Sequence, residues 1–210
     1  MTRYQEARQS RIFVDKMTSI PTSIRNEQDE LLSFAYDVVR GMDFLAERKF
    51  CHPVLTTHKV LLTEDGRCKL YDIFPEAMAM LKVKQELNQE YPPVAWLAPE
   101  AIFMSDYTIA SDVWNYAVLL WEVFSLGAIP YAGFRRSQME ENIRNGNVLL
   151  QPINCPGALY NVMLTCWNMS KDKRPLIGSV KRQLQSAFDS FNEQYPAKIS
   201  EGGTIYETCE

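Results

Sequence analysis

Phe50-Cys51-His52-Pro53-Val54-Leu55-Thr56-Thr57-His58-Lys59-Val60-Leu61-Leu62 is the stretch on which the reading of this chain turns. It ends in a short apolar run, and a second one, Cys68-Lys69-Leu70-Tyr71, follows across the turn Glu64-Asp65-Gly66. Two extended runs around a Gly-containing turn predict a small β-hairpin. Before the stretch, Leu31, Leu32, Ala35, Val38, Val39, Met42 and Leu45 recur at intervals of three and four. That period predicts an amphipathic helix from about Asp29 to Arg48, delivering the chain into the loop. The loop carries His52 and Lys59, with Val54 and Leu55 between them. A valine cannot take a proton, and an ammonium cannot ligate a metal cation.

The spacing resembles the catalytic loop of protein kinases, H-R-D-L-x-x-x-N, with its chemistry replaced. His52 and Leu55 keep their places, while Val54 stands at the Asp that accepts the substrate proton and Lys59 at the Asn that holds Mg²⁺. Lys69-Leu70-Tyr71-Asp72-Ile73-Phe74 is similar to the strand and D-F-G that follow. Asp72 is retained there as a vestigial metal ligand, and Phe74 replaces the glycine. Pro92-Pro93-Val94-Ala95-Trp96-Leu97-Ala98-Pro99-Glu100 resembles the close of a tyrosine-kinase activation segment. Ser111 to Glu122 resembles S-D-V-W-S-F-G-V-L-L-W-E, and Cys166-Trp167 with Arg174-Pro175 completes the ordered set. The detail is most similar to receptor tyrosine kinases of the split-kinase class, the platelet-derived and vascular endothelial growth factor receptor groups. Gly41-Met42-Asp43-Phe44-Leu45-Ala46 reads especially like theirs.

The resemblance implies a mainly α fold, a kinase-like C-terminal lobe with a small hairpin. It also implies that Glu100 pairs with Arg174 in a buried salt bridge and that Asp112 holds the loop backbone. Removing one partner of such a pair strands a buried charge at roughly 3–5 kcal/mol. Residues that would touch phosphate, metal or substrate are the ones replaced, so no catalytic residue is assigned at His52, Val54 or Lys59. No cofactor is expected, although Mg-ATP held through Asp72 stays open. No Gly-rich phosphate loop or its partner lysine is legible, so the N-terminal lobe is expected to be absent from this stretch.

The chain has 210 residues, 46% of them hydrophobic, enough for one packed domain. A net charge of −4 offers no basic stripe for nucleic acid. Cys51, Cys68, Cys155, Cys166 and Cys209 show no CxxC spacing, and with only two histidines no zinc set assembles. They read as reduced thiols in a cytoplasmic setting, one form of which is the intracellular part of a membrane receptor. The longest apolar run, Val113 to Leu126, is too short to span a bilayer.

Residues 1–28 read as linker or kinase-insert remnant, 29–192 as the kinase-like lobe and 193–210 as a flexible tail. Further helices are expected at about Ser111–Leu126, Ser137–Asn145, Gly157–Asn168 and Ile177–Phe191, the last with Val180, Leu184, Phe188 and Phe191 facing inward. Pro75 to Glu90 is made of strong helix formers, with Met80, Val83 and Leu87 on one face. Two readings stay open: a helix folded over the altered loop, or a mobile loop of helix-prone composition. Tyr206, among acidic neighbours, is a candidate phosphosite for an SH2 protein or simply part of an unmodified tail. The favoured function is an inactive interaction or regulatory module that binds other signalling proteins. The alternatives are a fragment of a weakly active protein tyrosine kinase, or a truncated product with no independent function.

Overall fold

The computed structural model describes residues 24–194, with side chains over most of that range. Helix α1 (Ile24–Glu47) leads into strand β1 (Phe50–Cys51), and β2 (Val60–Leu62) and β3 (Cys68–Leu70) follow the loop. Strand β4 (Phe74–Pro75) runs directly into helix α2 (Glu76–Leu87). The remaining α-helices among the described residues, joined by loops, are α3 (Pro99–Phe103), α4 (Ile109–Phe124), α5 (Arg136–Arg144), α6 (Gly157–Cys166) and α7 (Ile177–Gln194). Helix α1 starts five residues before the expected Asp29. Glu27 and Gln28 are good helix formers, so the helix extends past the end of its apolar stripe. Residues 24–28 are therefore helical rather than linker. Tyr206, Cys209 and the segment 1–23 lie outside the described residues, as do the side chains of Phe188 and Phe191.

Helix α4 is apolar on nearly every face, and such a helix is stable only when surrounded. Val113, Trp114, Tyr116, Ala117, Val118, Leu119, Leu120, Val123 and Phe124 are all buried. Helix α1 lies on one side of it and α6 on another, and α7 closes the layer against α1 and α6. The Tyr116 hydroxyl donates to the Ala35 carbonyl at 2.8 Å, satisfying a phenol inside the core. Val180 and Leu184 of α7 face inward, as the stripe requires. Each large apolar side chain buried this way stabilises the fold by roughly 1.5–3 kcal/mol.

The strands form two small antiparallel pairs. In the hairpin, Val60 pairs with Leu70 and Leu62 with Cys68, and Gly66 supplies the turn's positive φ of 77°. The pairing of β1 with β4 sets Phe50 opposite Pro75 and Cys51 opposite Phe74. No sequence signal marks this second pair, because two residues are too few to show a period. It nevertheless positions the site: it ties the start of the altered loop to the start of α2. The Lys49 carbonyl accepts the Glu76 N–H at 2.9 Å to fix that junction.

Candidate functional site

Three segments meet where a kinase would hold nucleotide and substrate. They are the loop from His52 to Lys59, the turn at Asp72 after β3, and helix α2. Between Pro75 and Glu90 the chain is helical from Glu76 to Leu87, so of the two open readings the helix obtains. Ala79 and Val83 of α2 are fully buried, packed with Cys51, Val54, Leu97, Ala101 and Tyr107 in an apolar cluster separate from the main core. Met80 and Leu87 pack at its edge. Glu76 in the first turn of α2 accepts the Ile109 N–H at 3.1 Å, joining α2 to the start of α4.

Val54 lies inside that cluster at 2% exposure and with φ 60°. A β-branched residue in the left-handed region carries strain, and here the packing of α2 holds it in place. His52 is fully buried, and neither ring nitrogen has a hydrogen-bond partner. Burial pushes its pKa down to about 4, so the ring is neutral near pH 7.

Lys59 and Asp72 come together directly, Nζ to Oδ2 at 2.6 Å. The Lys59 ammonium also lies 3.6 Å from Glu86 Oε1. Lys82 stands 2.9 Å from that same Glu86 oxygen and 3.6 Å from Asp72 Oδ1. Two cations and two anions thus alternate in a ring, with each side chain about one-fifth exposed or less. Burial raises the Asp72 pKa, but the hydrogen bond from Lys59 and the charges of Lys59 and Lys82 outweigh it and hold the carboxyl below its ordinary value. Asp72 itself has φ 64°, a conformation that Asp tolerates better than most residues. Sequence reasoning missed Lys82 and Glu86, although their i,i+4 spacing on a helix-prone segment was a usable signal.

The donor set does not fit Mg²⁺. The cation needs several oxygen ligands at close to octahedral geometry. Of the kinase pattern only Asp72 offers a carboxylate, and both of its oxygens face ammonium groups. The other family ligand position is Lys59 itself, and Val54 brings no oxygen. Among the described residues, no group of three or more His, Cys, Asp or Glu side chains is arranged to hold a metal ion.

Around this altered centre the supporting framework is intact. Arg174 grips Glu100 with two parallel bonds, Nη1 to Oε1 and Nη2 to Oε2, each 2.7 Å. The guanidinium also donates to the Asn168 and Ala110 carbonyls, and Ser111 Oγ donates to Glu100 at 2.6 Å. With so many partners, the buried charges are compensated. Asp112 accepts the His52 backbone N–H at 2.8 Å and the Tyr107 hydroxyl at 2.5 Å. Further along α4, Glu122 accepts both the backbone N–H and the hydroxyl of Thr57, at 3.2 and 3.0 Å. Burial pushes Glu122 up to about 7. The described thiols, Cys51, Cys68, Cys155 and Cys166, are all free. Among the described residues, no helix is long and apolar enough to cross a membrane.

The family model for protein tyrosine and serine/threonine kinases matches residues 12–184. The chain is 36% identical over 193 residues to fibroblast growth factor receptor 1 of Xenopus laevis, covering 91% of this chain and 24% of the receptor. It is 34% identical over 190 residues to platelet-derived growth factor receptor alpha of Takifugu rubripes, covering 89% of this chain and 18% of that receptor. The fibroblast growth factor receptor of Strongylocentrotus purpuratus is 34% identical over 183 residues. The chain therefore spans less than a quarter of the length of these relatives. With the ordered motifs, the helical lobe and the Glu100–Arg174 and Asp112 framework all on one chain, this protein belongs to the protein tyrosine and serine/threonine kinase family, in a receptor-tyrosine-kinase-like form.

Proposed function

We propose that this lobe is catalytically inactive in phosphoryl transfer and serves as a protein-interaction or regulatory module in receptor-tyrosine-kinase-type signalling, in a cytosolic setting. One observation carries the reading: Asp72, the one carboxylate retained from the kinase metal-ligand pattern, is bound by the Lys59 and Lys82 ammonium groups. Phosphoryl transfer depends on metal ions that neutralise charge between the transferring phosphates and on a base that orients the nucleophile. At the base position stands Val54, which offers no proton acceptor and is covered by Ala79 and Val83. Its partners on this reading are other signalling proteins, and a phosphorylated Tyr206 would add an SH2 docking point.

A second reading, a weakly active kinase within a longer chain, draws on one feature. Asp72 keeps the left-handed backbone that an aspartate at this position can use to present a carboxylate. Loss of a positioned base costs about 10²–10⁴-fold, which leaves room for residual turnover. A thermal melt with and without millimolar Mg-ATP separates the two, because a ligand that binds only the native state raises the midpoint. The inactive reading expects an unmoved midpoint. An upward shift that disappears in Asp72→Ala would overturn it.

A further inference from the structure

The disagreement between Lys59 and a metal site has a structural consequence beyond inactivity. Lys59 comes from the loop before β2, Asp72 from the turn after β3, and Lys82 and Glu86 from α2. Lys59 is thus the one loop cation in the ring, and it joins the Asp72 carboxylate to a carboxylate on α2. A neutral residue at position 59 would leave two carboxylates facing each other across Lys82 alone. The imbalance would push α2 away from the loop, since like charges with little water between them repel strongly.

We infer that Lys59 is a positioning residue, a resident cation that neutralises the old metal-ligand position and at the same time latches α2 across the loop. A bound metal would neutralise Asp72 only while nucleotide is present. A lysine does so permanently, which makes the closed arrangement the ground state of the lobe. The apolar cluster supplies the second attachment, with Ala79 and Val83 set against Val54 and Leu97. The ionic ring lies toward the C-terminal end of α2, where Glu86 is next to the last residue of the helix. Its loss therefore frays the helix from that end, and the first turn stays held by Glu76 on Ile109. The inference rests on the inactive reading only in that no metal competes for Asp72.

Hydrogen exchange of the full chain without nucleotide, in Lys59→Met, Glu86→Gln and the double variant, tests it. Loss of the latch is expected to speed exchange across Met80–Leu87 about tenfold or more while α4 keeps its protection. The double variant is expected to exchange no faster than the faster single one, because both changes break the same link. Exchange in both single variants within about threefold of the parent overturns the latch, as does a double variant whose effects simply multiply. If Lys59→Met unfolds the whole lobe, α4 loses protection too, and Glu86→Gln decides alone, because it removes the α2 end of the link together with only the local helix contacts of Glu86 to Lys82 and Gln89. A parent protein whose melt responds to Mg-ATP would refute inactivity and leave these exchange results standing.

Discussion

Placing an aspartate at position 54, where the kinase pattern carries its base, should destabilise this protein. Val54→Asp replaces a side chain of 2% exposure, enclosed by Cys51, Ala79, Val83, Leu97 and Ala101. Lost apolar burial costs about 1–2 kcal/mol. A carboxyl buried among these apolar groups costs a further ~2–4 kcal/mol even when it stays neutral. In return, Asp sits at φ 60° with less strain than a β-branched residue, a gain of roughly 1 kcal/mol. The net loss is about 2–5 kcal/mol, a large part of the roughly 5–15 kcal/mol that holds a domain together. The loss also depends on pH. The new carboxyl has a folded-state pKa raised by burial, so above the unfolded value near ~3.9 the folded state binds more protons. Stability then falls relative to the parent by about 1.4 kcal/mol per pH unit until α2 lifts and water reaches the group. Urea denaturation of both proteins at pH 5.5 and pH 8, with exchange protection read along α2, measures this. A variant as stable as its parent at pH 8, with α2 equally protected, would refute the reasoning.

Other outcomes follow from the same geometry. Glu100→Gln leaves the Arg174 guanidinium buried without its anion and should cost roughly 3–5 kcal/mol in a denaturation curve. The His52 ring should stay neutral down to about pH 4, seen by NMR as an imidazole that does not titrate between pH 7 and pH 5. Titration near the ordinary value of 6.5 would mean the ring is hydrated. Glu122 has its folded pKa raised to about 7, so its contribution is full below its unfolded value and fades as pH rises through 7. Glu122→Gln should therefore remove a decline of roughly 2–3 kcal/mol from the stability profile between pH 4.5 and pH 8, measured by melts across that range.

Much of this was legible because the kinase pattern is written at fixed spacings. The α4 segment reads as buried from its continuous apolar character alone, and Gly66 marks the hairpin turn. The order of motifs marks Glu100, Asp112 and Arg174 as framework residues, and the structure brings Glu100 to Arg174 and Asp112 to the His52 backbone. The ionic ring was not legible. Lys59 and Asp72 are separated by a hairpin, and their meeting with Lys82 and Glu86 depends on where α2 docks. That docking turns on Val83, which lies on the face read from the sequence, and on Ala79, which is too small to mark an inward position. The β1–β4 pair escaped for a similar reason, since its register exists only once α2 and the loop are already placed.

The two carboxylates of α4 that hold the loop have a mechanical consequence. Asp112 and Glu122 lie about three helical turns apart, roughly 15 Å along the axis, and each clamps a loop N–H, of His52 and of Thr57. A segment clamped at two points to the most buried helix of a domain has no low-energy hinge of its own. Its amides should open only when α4 itself melts, so loop and helix unfold as one cooperative unit. Selection on chemistry could leave such a segment without disturbing its shape, because the shape is borrowed from the helix beneath it.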